Sequence, residues 1–169
     1  MKHWTKALLL VSAGALAACS TTADRFGGNA ADNATAAGAP GSASDPTSVA
    51  YFQEAVGDRI LFVVDTSTLT PEAQSVLQGQ ARFLTGNGDY TAIIEGHADE
   101  RGTREYNLAL GARRASAVQD FLVSQGVAAN RLRTVTYGKE RPLEICSEEA
   151  CYAQNRRSVT VLGAGALGS

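Results

Sequence analysis

The sequence predicts a two-layer α/β sandwich of the α+β type, with a mixed four-stranded sheet and both long helices on one face. Three observations carry that expectation. Short apolar runs of strand length alternate with two longer stretches in which apolar residues recur every three or four positions, the spacing of a helix with one buried face. Turn-forming residues, Gly86-Asn87-Gly88, Gly126 and Pro142, fall between these runs rather than inside them. The resulting order, β-α-β-α-β-β, supplies helical crossovers early in the chain and none before the last strand, so the sheet mixes directions and the helices share a side.

Taken in order, Ile60 to Val64 is an unbroken apolar run ending at Asp65, as expected for a strand covered on both faces. Thr70-Pro71-Glu72 reads as a helix start. The Thr70 hydroxyl can cap a free N–H, and a proline at the first helical position lacks the N–H that would otherwise go unbonded. This helix turns Ala73, Val76, Leu77, Ala81 and Leu84 inward and stops at Gly86-Asn87-Gly88. Tyr90 to Gly96 is the second strand, and the second helix runs from about Arg104 to Ser124, buries Leu108, Ala115, Val118 and Leu122, and ends at Gly126. Leu132 to Tyr137 alternates as a third strand with Val135 and Tyr137 on one face. A loop holding Pro142 follows, with one helical turn expected around Glu149 to Asn155. Ser158 to Leu162 closes the sheet, Val159 and Val161 together on one face.

Ahead of this domain the chain changes character twice. Residues 1–18 read as an export signal: Lys2 and Lys6 form a positive head, and Ala7 to Ala18 is an apolar run too short to span a bilayer. The run ends Leu16-Ala17-Ala18-Cys19, which resembles the lipobox of bacterial lipoproteins. The resemblance implies a diacylglyceryl thioether and an amide-linked acyl chain on Cys19, with Ser20, a non-acidic neighbour, implying sorting to the outer membrane. Several acyl chains anchor firmly, at about 0.8 kcal/mol per buried methylene. Residues 19–48 form a flexible tether: small and polar, with Pro40 and Pro46 and almost no large apolar group except Phe26, they cannot bury enough surface to offset their ordering entropy. Such a tether has a typical end-to-end distance of about 30 Å. Residues 49–162 make one domain of ordinary size, and 163–169 a frayed, glycine-rich tail.

Charge and cysteine usage exclude several classes. With 15 basic and 17 acidic residues the net charge is −2, and it becomes more negative once Lys2 and Lys6 leave with the signal. The arginines are scattered rather than gathered in a stripe, which argues against a nucleic-acid partner. Of three cysteines, Cys19 is the lipid site; Cys146 and Cys151, close together in an exported chain, read as a disulfide closing a small loop, with a reduced buried pair as the alternative. A metal centre is disfavoured, because His97 is the only histidine left after His3 is removed, and no cofactor is expected.

The chemistry concentrates between Ile93 and Ala115, where a strand hands over to a helix through a turn rich in ionisable groups. Asn107, Leu110, Arg114, Val118 and Phe121 lie three or four residues apart, so Arg114 sits in an otherwise apolar stripe, whereas Arg113 shares an outer face with Tyr106, Ala117 and Asp120. A guanidinium among apolar residues needs an anion. One reading is a structural Asp99/Arg114 ion pair. The other leaves a gap between them for a zwitterion, its carboxylate on the planar fork of Arg114 and its ammonium on Asp99.

Six motifs then carry a family resemblance: Phe62 to Asp65, the run Glu95 to Thr103, Tyr106-Asn107-Leu108, Arg113-Arg114-Ala115, Tyr137-Gly138 and Asn155-Arg156-Arg157. Together, over nearly all of 49–162, they resemble the C-terminal domain of outer membrane protein A, and the lipobox with its tether matches the lipid-anchored branch rather than the barrel-bearing members. The resemblance implies non-covalent binding of the peptidoglycan stem through the zwitterionic end of meso-diaminopimelate, with Asp99 and Arg114 as contacts and Asp65, Thr66 and Asn107 bordering the pocket. It implies support from Arg156 and Arg157, although Arg157 also reads as a solvated basic strand end. It further implies a lipid-anchored protein of a Gram-negative outer membrane facing the periplasm, with the β-propeller subunit of the Tol system as a partner and a role in membrane constriction at division. Two departures stand out: Val64 replaces a residue often polar or acidic in relatives, and the Cys146/Cys151 loop occurs in only part of the family.

The rival reading is a cell-wall hydrolase using Glu95, His97 and Asp99, which alternate along an extended segment. Against it, one mature histidine makes a zinc site improbable, and no serine or cysteine nucleophile has a base at motif spacing. His97 is expected instead as a hydrogen-bonded turn residue. A protein-docking module that retains the fold alone is the third possibility.

Overall fold

A computed structural model describes residues 41–164. The signal, Cys19, most of the tether and the end of the tail lie outside the described residues. The element order is α1 (Val49–Tyr51) running into a π-helical turn (Phe52–Gly57), β1 (Arg59–Leu61), α2 (Pro71–Gly86), β2 (Tyr90–His97), α3 (Arg104–Ser124), β3 (Leu132–Gly138), α4 (Glu149–Asn155) and β4 (Arg157–Ala164). The four strands form one sheet in the order β1-β4-β2-β3. β2 pairs in parallel with β3 and antiparallel with β4, and β4 is antiparallel to β1. The α+β class and the mixed sheet are therefore as expected.

Sequence chemistry explains where the helices begin. Thr70 and Thr103 have extended backbones, and their hydroxyls accept from the N–H groups of Ala73 and Tyr106, three residues on. Ser48 caps α1 in the same way through Tyr51 N. The core lies between the helices and one face of the sheet: Leu77 and Leu84 from α2, Ala92 and Ile94 from β2, and Ala115, Val118 and Leu122 from α3 are all essentially inaccessible. Gln80, also fully buried, is satisfied at both ends, donating to Gly57 O at 2.7 Å and accepting from Thr160 Oγ1 at 2.8 Å.

Two expectations need correction. The run Ile60 to Val64 is not a strand covered on both faces: β1 is a three-residue edge strand with only Ile60 inward, and the chain leaves the sheet at Phe62. Val63 and Val64 are 55% and 48% exposed. The apolar run serves two purposes in succession, first pairing with β4 and then placing Phe62 under the Arg114 guanidinium, 5.0 Å from ring centroid to Cζ. On β4, Val159 and Val161 do share a face, but the inward face belongs to Ser158 and Thr160, which are buried; Val161 is 41% exposed on the side no helix covers. In a two-layer sandwich the uncovered sheet face can keep β-branched residues without burying them.

The approach of α3 to β2 fixes the geometry of the site. Gly96 and Gly111 face each other so closely that a Cβ on Gly96 would lie 1.9 Å from the Gly111 carbonyl oxygen. Only a pair of glycines lets helix and strand meet here. Arg114, one turn along α3, is thereby brought against the end of β2.

Candidate functional site: a cavity between two opposite charges

A cavity of about 220 Å³ opens where the segment after β1, the turn after β2 and the first turns of α3 meet. Its lining includes Asp65, Asp99, Asn107 and Arg114 from the expected set, with Arg101, Tyr106, Leu110 and Arg156. Thr66 takes part through its backbone alone, as an acceptor for Arg114.

Arg114 forms the floor. Its side chain has no exposed surface. Nε donates to Thr66 O at 2.8 Å, one terminal nitrogen to His97 O at 2.8 Å and the other to Val63 O at 3.2 Å. Three of the five N–H donors of a guanidinium are thus accounted for by backbone. Burial lowers its pKa to about 10, opposed by the negative charge of Asp99 and reinforced by Arg156, so it stays cationic at neutral pH.

Asp99 sits in the wall and does not pair with Arg114. Its Oδ2 accepts from Arg101 at 2.5 Å and from Arg156 at 3.3 Å, and Oδ1 from the Arg101 N–H at 3.2 Å. Burial alone would raise its pKa, but these hydrogen bonds outweigh it and hold the carboxyl below its ordinary value. The direct Asp99/Arg114 ion pair, the first of the two readings, is therefore not formed. Asn107, buried in the first turn of α3, donates to Arg101 O at 2.7 Å and so fixes the turn that carries Asp99. Asp65 has a left-handed backbone, φ 57°, which places its carboxylate in hydrogen-bond contact with the Tyr106 hydroxyl across the cavity rim.

His97 departs from expectation. It closes β2, is 2% exposed, and neither ring nitrogen has a hydrogen-bond partner; the nearest carboxylate oxygen, on Glu95, is 3.6 Å away. Burial, with the positive charges of Arg157 and Arg141, lowers the His97 pKa to about 4. Glu95, His97 and Asp99 do not form a metal centre: no cluster of three His, Cys, Asp or Glu ligands occurs among the described residues. Arg157 is not a solvated strand end either, being 7% exposed and bonded to the carbonyls of Asn155 and Arg141.

Sequence reasoning missed Arg101 and Glu149. Arg101 lies two residues beyond Asp99, a proximity that could have suggested the contact. Glu149 is a surface residue 50 positions away in the sequence, and no local pattern marks it. A disulfide joins Cys146 and Cys151, with Cα atoms 5.9 Å apart.

This fold coincides with that of known proteins. The family described as OmpA family matches residues 61–156. Peptidoglycan-associated lipoprotein of Mesorhizobium japonicum is 51% identical over 162 residues, covering 94% of this chain and 92% of that one. The protein of the same name from Agrobacterium fabrum is 54% identical over 130 residues, 77% and 73% of the two chains. The chain belongs to the OmpA family and, within it, to the peptidoglycan-associated lipoproteins. Among solved structures, the peptidoglycan-associated lipoprotein from Burkholderia pseudomallei superposes with a TM-score of 0.63 at 36% identity, covering 66% of this chain and 96% of that one. The C-terminal domain of Helicobacter pylori MotB, at 18% identity and a TM-score of 0.60 over 63% and 84%, shares the fold.

Proposed function

We infer that this envelope-associated lipoprotein binds peptidoglycan without covalent chemistry, by capturing the zwitterionic head of a meso-diaminopimelate stem between Asp99 and Arg114. The observation that carries the reading is their arrangement: opposite charges line one cavity, each is held by other partners, and neither neutralises the other. The stem ammonium is drawn to Asp99, and its carboxylate takes the guanidinium N–H groups that backbone does not use. Because Arg114 has no exposed surface, the side chains that line the cavity must shift for the carboxylate to reach it. Asn107 and the Thr66 carbonyl hold the frame. The protein is a binder, not an enzyme, as its relatives named peptidoglycan-associated lipoproteins and its OmpA-family domain support.

Asp99→Asn is the cleaner test, since Arg114→Ala would also strand three backbone acceptors. The variant keeps the wild-type circular dichroism spectrum and loses at least about tenfold in sedimentation with purified cell wall, the loss of one charge-assisted contact. Unchanged pelleting would refute the assignment.

The anchor completes the proposal. Acylation of Cys19 after removal of residues 1–18, supported by the lipobox and by the lipoprotein names of the relatives, places the chain on the outer membrane facing the periplasm. Residues 19–48 serve as the tether and 49–162 as the wall-binding domain, so the chain bridges membrane and wall. The periplasmic β-propeller of the Tol system is the proposed protein partner, competing for the same face during constriction at division.

A further inference from the structure

The geometry points to Glu149, strapped in place by the Cys146–Cys151 disulfide, as the positioning residue that aims Arg101 and Arg156 at Asp99. Each of these arginines forks between two carboxylates. Arg156 reaches Asp99 at 3.3 Å with one terminal nitrogen and Glu149 at 2.6 Å with the other. Arg101 bonds Asp99 at 2.5 Å and has Glu149 at the longer, ion-pair distance of 3.6 Å. Arg156, whose Nε also donates to Phe62 O at 3.2 Å, is held on three sides, and Arg101 has a second carboxylate within ion-pair range, so Glu149 helps to orient the two donors that hold Asp99. Tyr152, three residues further along α4, adds its ring 4.5 Å from the Arg101 Cζ.

Nothing in the apolar core holds the start of α4. Its N-cap, Glu148, makes no side-chain cap, and Leu143 and Ile145 in the preceding loop are 45% and 91% exposed. Two features tie it down instead. Asn155, fully buried, accepts from the N–H groups of Leu143 and Glu144 at 2.7 and 3.0 Å, and the disulfide ties Cys146 to Cys151, within α4. Glu149 lies inside that covalent ring, on the first turn of the helix. The loop thus acts on the cavity without lining it.

The functional consequence rests on the stem-binding reading above, but the positioning itself is measurable without ligand. Asp99 is faced by Arg101 and Arg156 in contact, by Arg114 across the cavity and by Glu149 behind the two contact arginines. Its carboxyl is titrated by carbon-13 NMR in the wild type, in Glu149→Gln and in Cys146→Ser/Cys151→Ser. Removing the negative charge of Glu149 would, acting through space alone, push the Asp99 pKa further down. Loss of positioning does the opposite. A rise toward the ordinary carboxylate value in both variants is expected, with a several-fold weaker retention on purified cell wall. An unchanged or lowered Asp99 pKa in Glu149→Gln overturns the inference whatever happens to wall binding. A rise in both variants with no wall binding by the wild type leaves positioning intact and removes the stem-binding reading instead.

Discussion

Mild acid is expected to destabilise the folded domain through His97. In the fold this imidazole is 2% exposed, has no hydrogen-bond partner on either nitrogen and has its pKa lowered from 6.5 to about 4 by burial, helped by Arg157 and Arg141. The unfolded chain takes up a proton near its ordinary value while the folded chain does not. The stability contributed by the neutral imidazole is therefore complete above that ordinary value and is lost as the pH falls toward the folded one. Fully expressed, a shift of that size corresponds to about 3 kcal/mol, and by about pH 5 some 2 kcal/mol of it is gone. Carboxylates add little in this window, because their unfolded pKa values lie near 4. Urea unfolding measured at about pH 7.5 and again at about pH 5 checks this: with a slope of about 1.5 kcal/mol per molar, the wild-type midpoint falls by about 1 M or more. His97→Phe keeps a ring beside Tyr137, whose centroid is 5.4 Å away, and removes the titration, so its midpoint holds nearly constant. A wild-type midpoint that does not move, or a variant that falls equally, refutes the reasoning.

Gly96→Ala drives a methyl into the Gly111 carbonyl at 1.9 Å, and neither partner is a flexible side chain; we expect a loss of about 3 kcal/mol or more in urea unfolding, or failure to fold. Replacing Cys146 and Cys151 by serine opens a ring of short sequence separation and should lower stability by about 2 kcal/mol, read as a lower melting temperature. Cell wall whose stems carry lysine in place of diaminopimelate presents an ammonium without the carboxylate, leaving part of the Arg114 fork unused; sedimentation should be weaker by about tenfold or more. Equal retention on both walls would show that the guanidinium is purely structural.

Much of the fold was legible because its signals are local. Thr70-Pro71 announces a helix with its own cap hydroxyl, and the helical spacing around Arg114 places it inward before any tertiary information is used. The sheet order was harder to read. Edge or centre is a property of pairing, so the five apolar residues Ile60 to Val64 look like a central strand although only the first two pair with β4. The valines of β4 point to the uncovered face for the same reason: alternation gives two faces but not which one the helices cover. At the site, Asp99, Asn107 and Arg114 lie within one strand-turn-helix unit and were visible together, whereas Arg156 entered only through a motif and Glu149 through nothing at all. The lone histidine misled because a polar residue in a turn-like sequence suggests a partner, and here neither ring nitrogen has one.

The three carbonyls that hold Arg114 also decide how the domain bears load. On the proposed function, a molecule fixed to a membrane at one end and to the wall at the other is pulled whenever the two layers separate. Tension on a captured stem enters through the guanidinium and divides between the segment that follows β1, at Val63 and Thr66, and His97 at the end of β2, a strand flanked on both sides. Force on Arg114 is thus shared between the interior strand β2, through His97, and the chain that leaves the edge strand β1, through Val63 and Thr66, so that neither carries it alone.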